Sequence, residues 1–192
     1  MVRVVLLSDT HCRHREIAVP DGDILIHAGD FTIGGEENEI ADFNEWLGSL
    51  PHKHKIVVAG NHELLLENVP EVAPKLLTTC VYLLDREVVI EGLRIYGAPW
   101  TPPFFQWAFM LGEREIEAKW NLIPRGIDIL VTHGPPRGIG DVVPVAGRRY
   151  VLDDGKHGGC PALRRAVERI APRLHVFGHV HASYGTCAIG RM

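Results

Sequence analysis

The chain has no long hydrophobic run, no paired-cysteine motif and no block of basic charge, and each absence excludes a class of protein. No stretch of its 192 residues approaches the ~20 apolar residues of a membrane-spanning helix. The opening run from Val4 to Leu7 is too short for a signal-peptide core and is followed at once by Ser8-Asp9. Cys12, Cys80, Cys160 and Cys187 are widely separated with no C-x-x-C spacing, so reduced thiols and a cytoplasmic location are the simpler expectation, with no membrane partner. Formal net charge is −4, and adjacent arginines occur only at Arg148-Arg149 and Arg164-Arg165, which argues against broad nucleic-acid binding. No internal repeat, low-complexity tract or linker interrupts the chain, and its length suits one domain over residues 1–192.

Histidine is what the chain has in excess, eleven in all. Five of them fall in short motifs that each close an apolar run. Val4 to Ser8 leads to Asp9-Thr10-His11, Asp23 to Ala28 to Gly29-Asp30, and Lys55 to Ala59 to Gly60-Asn61-His62-Glu63. Asp128 to Thr132 leads to His133-Gly134, and Leu174 to Phe177 to Gly178-His179-Val180-His181. Alone, each motif reads as an ordinary turn or cap. Repeated at strand ends, where open α/β sheets place their ligands, they point to one site. Asp9, His11, Asp30, Asn61, His133, His179 and His181 supply enough oxygen and nitrogen for two metal ions. This mixture of carboxylate, imidazole and amide suits Mn²⁺, Fe²⁺ or Zn²⁺ better than Ca²⁺, and the motifs contain no cysteine for a structural zinc. Two such ions, ~3.5–4 Å apart, polarise a phosphoryl oxygen and ionise a bridging water near neutral pH.

Of the other histidines, His52 and His54 read as solvated loop residues, His27 and His175 as core residues within strands, and His14 and His157 as loop residues. Alternation of apolar runs with helical patterns gives an α/β class. Ile40, Phe43, Leu47 and Leu50, with Trp46 alongside, predict an amphipathic helix between Glu36 and Leu50, with Glu37, Asp42 and Glu45 facing water. Further helices are expected from Glu113 to Trp120 and from Pro161, a favoured first helical residue, to Ile170. Val81 to Leu84, Val88 to Ile90 and Leu93 to Tyr96 read as successive strands, the last two joined by a hairpin at Glu91-Gly92.

Pro99 to Phe109 gathers Trp100, Phe104, Phe105, Trp107 and Phe109, which serve either as a wall on which a base stacks or as packing against the sheet. Gly134 to Gly159, with Asp141, Arg148, Arg149 and His157, reads as a loop flanking the site.

The five motifs, in this order, resemble the calcineurin-like metallophosphoesterase signature. Asp23 to Asp30, Phe43 to Gly48, Arg94 to Gly97 with Pro99-Trp100, Lys119 to Pro124 and Thr132 to Pro136 are similar to the class III phosphodiesterase-like branch, which includes the metallophosphoesterase-domain proteins of mammalian brain. The resemblance implies a four-layer αββα sandwich of two mixed sheets flanked by helices. It implies that Asp9, His11, Asp30 and His181 hold one divalent ion and that Asp30, Asn61, His133 and His179 hold the other, with Asp30 bridging. Mn²⁺ is the expected ion in vitro, with Fe, Zn or Mg as alternatives. His62 would contact the phosphate or protonate the leaving oxygen, with Asn61, Phe105 and Trp107 as further substrate contacts.

Charge favours a diester within that resemblance. Two divalent cations offset by Asp9 and Asp30 leave two positive charges, which an ionised water and a phosphodiester monoanion neutralise. The phosphoprotein phosphatases of this fold carry an Arg before Gly-Asn-His-Glu and Asp-Arg-Gly after Gly-Asp, where this chain has Ala59 and Ile33-Gly34-Gly35. The implied function is hydrolysis of small phosphodiesters, 2′,3′- or 3′,5′-cyclic nucleotides among them. A broad-specificity phosphatase, a nuclease and a non-catalytic metal-binding scaffold are the alternatives. Members of the branch continue into further strands after the last motif, so Tyr184 to Ile189 is expected to be a final strand at a shortened sheet edge.

Overall fold

The computed structural model describes residues 2–143 and 157–188. Strands β1 (Val4–Leu7), β2 (Ile24–His27), β3 (His54–Val57) and β4 (Val81–Tyr82) form one sheet in that order. Strands β5 (Arg86–Ile90), β6 (Leu93–Ala98), β7 (Ile129–Thr132) and β8 (Leu174–Val176) form the second. Among the described residues the pairs of the first sheet are parallel, and the second is mixed, with β5–β6 antiparallel and β6–β7 and β7–β8 parallel. The expectation of two mixed sheets is thus corrected for the first. The chain feeds β1 to β4 one after another through crossovers carrying helices, a connection that makes strands parallel.

Alternation along the strands sorts side chains into layers. Val5, Leu25 and Val57 face helix α1 (Glu37–Ser49) and the short helices α2 (Leu64–Asn68) and α3 (Ala73–Leu76), joining Phe31, Ile40, Phe43, Trp46 and Leu47 in one buried cluster. Their neighbours Ile24, Ile26 and Ile56 face the other way, packing on Ile95, Ile129, Val131 and Val176 of the second sheet. On that sheet's outer face Tyr96, Ala98 and Leu130 meet Ile116 and Trp120 of α4 (Glu113–Asn121) and Leu163 and Ala166 of α5 (Pro161–Ile170). The order of layers is helix, sheet, sheet, helix.

Helix α1 begins with a reciprocal capping box between Glu36 and Glu39. Asp42 on this helix does not simply face water, since it accepts from Arg15 at 2.7 Å and pairs with His14 at 3.0 Å. His14 and His52 are buried rather than exposed. His52 Nε2 donates to the Pro20 carbonyl at 3.0 Å, which pins the loop before β3 to the loop before β2 and corrects its assignment as solvated. His54 lies on β3 and pairs with Glu91 at 3.0 Å. Residues 184–188 contain no strand. They are exposed and follow a single 3₁₀ turn at His181–Ser183, so nothing apolar holds them to a sheet; Ile189 lies outside the described residues. Arg148 and Arg149 also lie outside them, whereas Asp141 accepts from His157 at 2.9 Å and ties the two described ends of that loop together.

Parallel register is what builds the site. It brings the carboxyl ends of β1, β2 and β3 to one rim, and β7 and β8 end beside them in the second sheet. Because Ala98 pairs with Thr132 in parallel, β6 also ends there and delivers the loop from Pro99 to Phe109 to the same rim.

Candidate metal centre

All seven residues of ligand type converge at this rim. Asp9, His11 and His181 form one group and Asp30, His133 and His179 another, each with ligand atoms within 4.8 Å of one another. His133 Nε2 lies 3.2 Å from Asp30 Oδ2, and Asn61 Oδ1 lies 3.0 Å from His133 Nε2 and 2.8 Å from His179 Nδ1. In the first group, His181 Nε2 is 3.3 Å from Asp9 Oδ1 and 3.3 Å from His11 Nε2. Asp30 reaches both sides, with His11 Nε2 4.0 Å from its Oδ2. His62 Nε2 is also 4.0 Å from that oxygen, which places His62 in a third group with His11 and Asp30.

Backbone carbonyls aim three of the rings. His11 Nδ1 meets the Thr32 carbonyl at 3.2 Å, His133 Nδ1 that of Ala28 at 2.9 Å, and His62 Nδ1 that of Ile33 at 2.5 Å. A carbonyl only accepts, so each Nδ1 carries the proton and each Nε2 points into the site. Asp9 is held by the His179 backbone N–H, 3.0 Å from both its oxygens, and by the Ser8 hydroxyl. These loops are strained: Asp9, His11, Asp30 and His179 all have positive φ, between 41° and 71°. Such conformations cost of order 1–3 kcal/mol each and collect at functional sites.

Glu63, which closes the Gly60-Asn61-His62-Glu63 motif, organises the site, a role its place in the motif does not reveal. It is fully buried, and its carboxylate accepts from Asp30 N–H (2.9 Å), Thr32 N–H (3.0 Å), the Thr32 hydroxyl (2.8 Å) and Gly60 N–H. It therefore clamps the Asp30 turn to the Asn61 turn. Burial, then the Asp30 charge, pushes its carboxyl above the usual range. The signal for it was an acid amid buried apolar neighbours, which must be paired.

The electrostatics fit two cations. Burial opposes charge on His133, yet the Asp30 carboxylate, with Asp9 behind it, raises the ring to about 10. His181 is raised by its hydrogen bond to Asp9. His11 is lowered by burial, and His179 falls to about 3 through burial and the nearby His133. Each group thus holds one imidazole that attracts a proton and one that keeps its lone pair. A proton is what a carboxylate–imidazole cluster takes up when no metal neutralises it.

The aromatic loop divides its rings between packing and the site. Phe109 is buried and Trp100 meets it edge-on at 5.5 Å, donating to Asp85 at 2.7 Å. Phe104 lies edge-on to His179 at 4.9 Å, Trp107 lies 4.4 Å from His62, and Phe105 is 60% exposed.

A sheet sandwich with paired Asp/His groups at its carboxyl rim defines a metal-binding phosphoesterase fold. The chain belongs to the calcineurin-like phosphoesterase family, whose model matches residues 2–183, a family of generally metal-dependent hydrolases. It is 48% identical over 98% of its length to metallophosphoesterase domain-containing protein 1 of Homo sapiens and of Mus musculus, and spans 63% of the length of those relatives. It is 44% identical to the UPF0046 protein C25E10.12 of Caenorhabditis elegans, covering 98% of this chain and 72% of that one. A solved structure, TT1561 of Thermus thermophilus, shares the fold with a TM-score of 0.61 at 12% identity, over 92% of this chain and 81% of the other. Among the described residues no helix is long and apolar enough to cross a membrane.

Proposed function

We propose that this protein is a two-metal phosphodiesterase acting on small diesters, with cyclic nucleotides as the substrate class. The observation that carries the reading is the pair of three-residue donor groups, one containing Asp30 and the other reaching it through His11, with His62 Nε2 beside that same carboxylate. Asp9, His11, Asp30 and His181 would hold one ion and Asp30, Asn61, His133 and His179 the other. When bound, the ions supply positive charge to the phosphoryl oxygens and an ionised water as nucleophile. His62, whose Nδ1–H donates to the Ile33 carbonyl, would act as the imidazolium, giving the proton on its Nε2 to the leaving oxygen as the P–O bond breaks. The water-derived oxygen bonds to phosphorus as the ester P–O bond breaks, so that an acyclic diester would give an alcohol and a phosphomonoester, and a cyclic nucleotide would open to a single nucleoside monophosphate.

The diester preference rests on charge. Ala59, which is buried, and Gly34 stand where phosphoprotein phosphatases place arginines, so neither position supplies a cation for a dianion. Phe105, whose ring is exposed at the loop, would flank a base. The decisive experiment is metal analysis of the purified protein joined to a substrate panel. About two ions per chain, and faster hydrolysis of bis(p-nitrophenyl) phosphate than of p-nitrophenyl phosphate in Mn²⁺, are the expected results. Full activity of metal-free protein in chelator would overturn the mechanism. A strong monoester preference would overturn the substrate class alone.

A further inference from the structure

Trp107 is not a ligand, yet it is the aromatic ring packed on His62. The two rings lie 4.4 Å apart with 32° between their planes, a tilted stack of the kind that attracts. Other contacts act on the same imidazole: Nδ1 donates to the Ile33 carbonyl, and the ring of His11 meets it edge-on at 4.7 Å. The His62 backbone N–H donates to Asp30 Oδ1 at 2.9 Å. Nε2 is the atom left to face the site. The loop carrying Trp107 is tied to the same turn, because the Ala108 N–H donates to the Asn61 carbonyl at 3.0 Å and the Thr101 N–H closes the loop base on the Phe109 carbonyl at 2.9 Å.

We propose that Trp107 is a positioning residue for His62, its indole fixing the plane of the imidazole so that Nε2 stays aimed at the leaving oxygen. A single hydrogen bond at Nδ1 sets a direction but leaves the ring free to rotate about it, and a flat neighbour removes that rotation. The proposal rests on the reading of His62 as proton donor. It gives Trp107 a task distinct from stacking on a base, which would act on substrate affinity.

The test uses the Mn²⁺-loaded full chain with a cyclic nucleotide, whose leaving group is an alkoxide, and bis(p-nitrophenyl) phosphate, whose leaving group needs little protonation. Trp107→Ala should lower kcat on the cyclic nucleotide roughly 10- to 100-fold, as misplacement of a reacting group does, with KM little changed and a smaller loss on the nitrophenyl diester. Trp107→Phe should recover most of the rate, and Trp107→Leu, which keeps bulk without a flat face, should not. In the His62→Ala background Trp107→Ala should cost nothing more. A loss of equal size in that background, or an effect confined to KM, would make Trp107 a substrate contact and overturn the proposal. If His62→Ala slows the alkoxide substrate while Trp107→Ala and Trp107→Leu do not, the positioning role alone is wrong. If His62→Ala leaves that rate intact, the proton-donor reading fails and takes the proposal with it.

Discussion

Asp30 is the residue on which the site turns. Its carboxylate is buried, sits 3.2 Å from His133 and lies within reach of His11 and His62, while its backbone N–H is fixed by Glu63. Asn61 offers one amide oxygen to one group. Asp30→Asn should therefore lower both metal content and activity more than Asn61→Ala, because it removes the charge that, in the proposed two-metal site, would serve both ions. Metal analysis and steady-state rates on the two variants check this, and equal small losses with metal retained would make the cluster structural. The ligand types were legible in the sequence because each follows an apolar run. The left-handed backbone at Asp9, His11, Asp30 and His179 was not, since none is glycine and the strain is imposed by tertiary contacts. Gly178 shows the same tightness: a Cβ there would collide with Asp9 Oδ2 and the Ser8 hydroxyl.

Helices α1, α4 and α5 were legible as elements because their apolar residues recur at helical spacing and Pro161 marks a start. The short helices α2 and α3 were not. Leu64-Leu65-Leu66 has no helical period, and Pro70 and Pro74 break the segment into single turns. Strand β4 was legible, but its place was not: it joins the first sheet in parallel beside β3, a pairing set by the long crossover rather than by local pattern. The loop from Pro99 to Phe109 could be read two ways, and its rings serve both. Phe105 has φ 54° and an exposed side chain, so backbone strain holds an apolar ring toward solvent. Phe105→Ala should raise KM for a cyclic nucleotide and leave a small non-aromatic diester little affected, since base stacking is worth about 1–3 kcal/mol. Equal KM changes on both substrates would show that the ring serves packing.

At the scale of the molecule, the buried histidines tie stability to pH and to metal. His27, bonded to Thr10 at 3.1 Å, and His175, bonded to Thr132 at 2.8 Å, are lowered by burial to about 3. As pH falls from 6.5, the unfolded chain takes protons that the folded one refuses, so stability present above pH 6.5 is lost on the way down to about 3. His133 has the opposite sign. Against the cost of burial, Asp30 raises it to about 10 in the metal-free protein, so its contribution is complete below pH 6.5 and disappears as pH rises toward 10. The chelated protein should therefore be most stable near pH 6.5 and weaken on both sides, read as urea midpoints across pH ~4.5 to ~9.5. Metal loading replaces the His133 proton, so the alkaline decline should vanish while the acid one remains. His175→Gln, which keeps a partner for the Thr132 hydroxyl without a titrating ring, should make the acid limb shallower in both forms while His27 continues to drive it. If chelated and metal-loaded protein show the same alkaline slope, His133 carries no proton in the metal-free fold, and Asp30 must be neutralised in another way.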